Sequence, residues 1–193
     1  MGRDAARSVY LIHVRPTKAS HSPGPAVNPL TILRNLNQQE RQTVVEFFGT
    51  FAGAEFTLKQ RGFIKSGSHN GATADWDNFA TSISGQFQKQ RDEPFRDAWE
   101  YLIAHPPRKQ VAPKGRLSWK EAERPRGWSD EQWGFVIVRR VRNNLFHGAK
   151  FVVGGSESYS RDVTLVRSAL VLVQHALEMP FVRAKIRATP VSE

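Results

Sequence analysis

The sequence predicts an all-α fold, a helical bundle of about five helices with a long basic Pro/Gly-rich connection ahead of the fourth. Three observations predict it. Apolar residues recur at three- and four-residue steps in separate stretches, the spacing of one helical face. Cap residues open most of these stretches, and proline or glycine closes them. The length of 193 residues suits one domain with appendages, large enough to bury a core without disulfide or metal staples.

Residues 1–28 read as a disordered tail. Asp4 stands against Arg3, Arg7, Arg15 and Lys18, and Pro16, Pro23 and Pro25 spoil any amphipathic helix. Val9 to Val14 has strand character but no partner. A helical domain is expected over 29–182, with a C-terminal tail over 183–193. The first helix is expected from about Pro29, behind the Asn28 cap, to Gly62. Its stripe of Val44, Phe48, Phe51 and Leu58 places Glu55 at the centre of an apolar face, where an acid is expensive unless paired. Residues 66–75 read as a polar loop. Asp75, Trp76 and Asp77 open a second helix carrying Trp76, Phe79, Ile83 and Phe87. Phe95, Trp99, Leu102 and Ile103 mark a third over 92–104, stopped by Pro106 and Pro107.

The connection over 106–128 holds seven bases, among them Arg108, Lys109 and Lys120, against Glu121 and Glu123. A short extended piece is expected around Arg116 to Trp119. A connection this long in a compact domain is usually functional. Ser129 caps the fourth helix, with acids in its first turn, and Gly148 stops it after His147. The last helix runs from about Ser160 to Glu178. Val163, Val166, Leu170, Val173 and Leu177 repeat at 3-4-3-4, and Leu165, Ala169, Leu172 and Ala176 widen the stripe, so this helix belongs at the centre of the core.

The chain carries 28 Lys+Arg and 18 Asp+Glu, a net +10, and no cysteine. The charge favours a polyanionic partner. The missing cysteines exclude a disulfide scaffold, a thiol nucleophile and the usual zinc ribbons, and fit a reducing, cytoplasmic setting. No apolar run approaches the ~20 residues of a membrane span, so no membrane role is expected, and no secretory signal opens the chain. No spacing of His, Asp and Glu suggests a metal, no phosphate-binding glycine loop is present, and no cofactor is implied. Trp119, Trp128 and Trp133 surround the basic connection. Packing is their expected role, with base stacking the alternative.

The chemistry-bearing residues concentrate in Val141-Arg142-Asn143-Asn144-Leu145-Phe146-His147-Gly148. On a helix, Val138, Val141 and Leu145 share a wedge of about 60° that faces the core. Arg142 falls about 40° from Val138, at the core margin. Arg140, Asn143 and His147 lie on the opposite side. Arginine cannot discharge itself, so Arg142 needs a carboxylate, a cleft or an interface. Glu55 has the mirror problem. The two are expected to meet or to line one polar pocket.

Arg142, Asn143 and His147 resemble the signature of the HEPN superfamily (higher eukaryotes and prokaryotes nucleotide-binding): an Arg, a polar residue, then a His after four to six intervening positions. The stretch Phe48 to Lys59, with Glu55 ahead of Leu58-Lys59, is similar to the first helix of some bacterial HEPN proteins. The resemblance covers roughly residues 28–180. It implies a compact helical bundle, often a homodimer with the motif facing a cleft at the two-fold. Many members are metal-independent endoribonucleases in toxin–antitoxin, phage-defence or RNA-processing systems. Others are non-catalytic and bind nucleotides, RNA or protein partners. A cognate antitoxin is thus one expected partner beside RNA.

Metal-free RNA cleavage needs a group that moves a proton near neutral pH, which suits His147, and a fixed cation on the phosphorane oxygens, which suits Arg142. Asn143 would orient the imidazole or touch the phosphate. Glu55 and Asn144 would support them, and Lys59, Arg139, Arg140 and Lys150 would draw in the RNA backbone. Five residues on a straight helix leave Arg142 and His147 about 140° apart. A shared site therefore requires that the helix end before His147, that Arg142 reach around, or that a second copy complete the site.

Overall fold

The computed structural model describes residues 36–87, 92–116, 118–146 and 156–183. The N-terminal tail expected over 1–28, the helical start expected over 29–35 and all but Arg183 of the C-terminal tail lie outside the described residues. The fold is mostly helical: α1 (Gln38–Gln60), α2 (Trp76–Ser82), α3 (Glu93–Ala104), α4 (Asp130–Phe146), α5 (Ser156–Glu178) and α6 (Pro180–Arg183). Two antiparallel hairpins interrupt the helices, β1 (Ile64–Ser66) with β2 (Ala72–Ala74) and β3 (Lys109–Val111) with β4 (Ser118–Lys120). The expectation of an all-α chain is corrected to this extent.

Local chemistry sets the helix starts. Asn37 accepts from the Glu40 N–H at 2.9 Å while Glu40 accepts from the Asn37 N–H at 2.8 Å. This capping box starts α1 at Gln38, nine residues after the expected proline start. Asp92 caps α3, accepting from the Phe95 N–H at 3.0 Å. Ser129 and Gln132 form the equivalent box ahead of α4, at 3.2 and 2.9 Å. The predicted N-cap at Ser129 and the caps at Asp75 and Asp92 all rest on these short-range bonds.

The buried line of α1 is Val44, Phe47, Phe51, Ala54 and Leu58. The expected line through Phe48 and Glu55 is displaced by one residue. Both lines step by threes and fours, and packing of α1 against α5 and Trp76 selects the line through Phe47, so Glu55 and Phe48 flank the stripe, half-buried. Helix α5 packs on α1 and α3, and also meets α4 and α6. Both of its expected stripes are buried except at Leu177.

Aromatic rings join the helices beneath the hairpins. Trp76 stacks between Phe51 at 5.2 Å and Phe135 at 5.5 Å. Phe87 packs on Phe95, Trp99 and Phe135. Gly134 lets α4 approach α3, since a Cβ there would lie 2.8 Å from Trp99 Cζ3. Among the described residues, no helix is long and apolar enough to cross a membrane.

Candidate functional site

Helix α4 is fixed at its start before it presents its polar residues. Glu131, almost wholly buried, accepts the Gly85 N–H at 3.0 Å and the Ser84 hydroxyl at 3.4 Å. Two turns on, Arg139 donates to Asp77 at 2.5 Å and to the Phe135 carbonyl at 3.3 Å. Asp77 also pairs with Lys65 at 3.0 Å, and Lys65 reaches Asp75 at 3.4 Å. The β1–β2 hairpin, the first turn of α2 and the middle of α4 are thereby joined by one ionic cluster.

Charges in that cluster hold one another ionised. Burial pushes the Asp77 carboxyl up, but the hydrogen bond from Lys65 and the adjacent Arg139 guanidinium outweigh it and leave it below the ordinary carboxylate value. The Lys65 ammonium is raised, chiefly by its hydrogen bond to Asp77, against a smaller opposing effect of burial.

Above this cluster lies an open cleft of about 410 Å³. Helix α1 contributes Phe51, Glu55 and Lys59, the hairpin contributes Lys65 and Thr73, and α4 contributes Arg139, Arg142 and Asn143, with Trp76 between them. The Trp76 indole N–H donates to Glu55 at 3.4 Å. The Arg142 guanidinium lies over the Phe51 ring at 5.7 Å and donates to the Asn143 side-chain oxygen at 3.0 Å. Glu55 and Arg142 thus line the same cleft, one from each helix.

The structure brings together five of the residues singled out from sequence: Glu55, Lys59, Arg139, Arg142 and Asn143. Asn144 is placed elsewhere. It is buried and donates to the Arg108 carbonyl at 3.0 Å, tying the basic connection to α4. Arg140 lies over Trp133 at 5.2 Å and lines a second cavity. His147 and Lys150 lie outside the described residues. His175 donates from Nδ1 to the Val171 carbonyl, 3.0 Å away, and packs on Phe95.

Sequence reasoning missed Lys65, Thr73 and Trp76 as cleft residues and Asp77 as the hub of the ionic cluster. Residues 66–75 were expected to be a loop. The pair Gly67 and Gly71 around a Ser-His-Asn tip was the available hairpin signal: Gly67 donates to the Gly71 carbonyl at 2.6 Å, and His69 and Asn70 take positive φ at the tip.

Chemically, the cleft presents four cations and a carboxylate over an aromatic wall. Lys65 and Arg139 are partly neutralised by Asp77. An extended anion with separated charges fits this arrangement better than a single small anion. Comparisons with protein-family models, with curated proteins and with solved structures return no match.

Proposed function

We propose that the chain is a metal-independent endoribonuclease of the HEPN type, in which single-stranded RNA lies in the cleft between α1, the β1–β2 hairpin and α4. One observation carries this reading: Arg142 and Asn143, the first two residues of the motif, open onto a basic cleft large enough for a nucleotide. His147 follows one residue after Phe146, the last described residue of α4.

In the proposed reaction His147 takes the proton of a ribose 2′-hydroxyl. The freed oxygen attacks the adjacent phosphorus, and Arg142 binds the charge that builds on the non-bridging oxygens. The bond from phosphorus to the 5′-oxygen breaks, that oxygen takes a proton from water while His147 returns its own to solvent, and a 2′,3′-cyclic phosphate remains. Lys59 and Lys65 hold flanking phosphates. A cytoplasmic toxin–antitoxin, phage-defence or RNA-processing setting follows from the same resemblance. So does a homodimer with α4 near its axis, which bound RNA stabilises by offsetting the repulsion between two basic chains.

A second reading, a non-catalytic module that binds nucleotide, RNA or a protein partner, draws on Arg142 itself. Its guanidinium already has an aromatic face and an amide oxygen, the partners of a structural arginine.

The test is cleavage of single-stranded RNA by purified protein in EDTA. We expect 2′,3′-cyclic phosphate ends, and no cleavage by Arg142→Ala or His147→Ala protein that still melts cooperatively. Cleavage that survives both substitutions refutes the nuclease assignment. Binding without cleavage by the wild-type protein selects the second reading.

A further inference from the structure

On the far side of the Arg139–Asn143 ridge, α4 and the β3–β4 hairpin enclose a second cavity of about 360 Å³. Lys109, Gln110, Val136, Arg139, Arg140 and Asn143 line it, beside the buried Asn144, and among the described residues no carboxylate does. Of its cations, Arg139 is already paired with Asp77, whereas Arg140 and Lys109 have no carboxylate against them among the described residues. The Arg140 Nη1 is buried and has no hydrogen-bond partner among the described residues. Burial, and then the neighbouring Arg139 charge, pull the Arg140 guanidinium below its ordinary value. On the hairpin, Lys109 is paired directly across from Lys120. Like charges opposite each other destabilise a strand pair, and this hairpin of three-residue strands tolerates one.

A buried donor without a partner is costly, and more so on a charged group. Arg140 and Lys109, at one cavity lined by no carboxylate among the described residues, suit one kind of ligand, an anion with several acceptor oxygens. The source of that anion follows from position. Arg139 and Asn143 line both cavities, so a strand leaving the first enters the second across their side chains.

We propose that this second cavity is a phosphate subsite for the same RNA strand, in which Arg140 and Lys109 bind a backbone phosphate next to the nucleotide held in the Glu55–Arg142 cleft. The inference rests on the proposed RNA-binding reading and deepens it. Binding energy is then spread along several nucleotides, and the β3–β4 hairpin sets how long a strand the protein prefers.

The test is fluorescence anisotropy on the full chain across a salt series, with three probes: a dinucleotide, a single-stranded oligonucleotide long enough to cross the ridge, and a free nucleoside monophosphate. The long strand should bind on the order of tenfold or more tighter than the dinucleotide, as one further charged hydrogen bond predicts. Lys109→Gln should erase most of that difference and lower the salt slope by about 0.7 for each phosphate that is no longer neutralised. Arg140→Gln should do the same. Lys109 is exposed on the hairpin, so its variant keeps the test decisive if Arg140→Gln misfolds.

Equal affinity of wild-type and Lys109→Gln protein for the long strand, with unchanged salt slopes, overturns the subsite. Nucleoside monophosphate that binds in a Lys109-dependent way and is not displaced by the long strand assigns the cavity to a free nucleotide and also overturns it. The nuclease reading fails separately: long-strand binding that depends on Lys109 with no cleavage in EDTA sinks catalysis and leaves the subsite standing.

Discussion

Replacing Asp77 by asparagine should lower stability and raise RNA affinity at once. Asp77 accepts from Arg139 at 2.5 Å and from Lys65 at 3.0 Å. The Asp77 side chain is 49% exposed, Lys65 44% and Arg139 27%. Exposed ion pairs contribute about 0.2–1 kcal/mol. The Lys65 pair belongs near the middle of that range, and the more sheltered Arg139 pair at its top. The sum is about 1.5 kcal/mol, or roughly 3–6 °C in Tm for a domain of this size.

The pH dependence follows from the direction of the Asp77 shift. Its carboxyl is held below the ordinary value of about 3.9 in the folded state. The unfolded chain therefore binds this proton first as pH falls. The contribution is present in full above about pH 4 and is lost as pH drops through the folded-state value. Stability curves of wild type and Asp77→Asn should thus run parallel at neutral pH and converge in acid.

The same substitution unmasks two cations that line the cleft, and RNA should bind on the order of tenfold tighter at low salt, with a steeper salt slope. Urea titrations at several pH values, with anisotropy on the same preparations, check both halves. An Asp77→Asn protein as stable as wild type at pH 7, or one that binds RNA more weakly, refutes the reasoning.

Other substitutions report on the scaffold. Gly134→Ala should destabilise by about 1–3 kcal/mol through overpacking, despite alanine's better helix propensity, because its Cβ meets the Trp99 ring; a calorimetric Tm at or above wild type would show that the ring can move aside. Asn144→Ala should cost about 1–2 kcal/mol and speed amide exchange in the β3–β4 hairpin, since the Arg108 carbonyl loses its donor. Glu131→Ala should cost at least as much, by leaving the Gly85 N–H without its acceptor, and chemical denaturation measures it directly.

Helix positions were legible in the sequence because their causes are local. A cap bonds three residues ahead and an apolar stripe repeats every three or four, so Asp92, Ser129 and the double stripe of α5 could be read from adjacent letters. The mostly helical fold follows from such signals. So does the margin position of Arg142, which depends only on its angle from Val138 on the same helix. Glu55 was harder: a line through Phe48 and a line through Phe47 fit the spacing almost equally, and packing against α5 and Trp76 selects the second.

The hairpins left little trace beyond the extended piece expected around Arg116 to Trp119, of which Ser118 and Trp119 fall in β4. Each has three-residue strands, and β1 is exposed along its whole length, so no alternation marks them. The cleft depends on β1–β2 all the same. Lys65 and Asp77 stand twelve residues apart, and Asp77 and Arg139 sixty-two. No sequence period connects residues at such separations. The composition of α1 and α4 determined which polar groups would be uncomfortable in a core. Only the tertiary structure decided that Arg139, Arg142 and Asn143 would open on the same side as Glu55, and Arg140 on the other, because helix rotation is set by the summed burial of distant side chains.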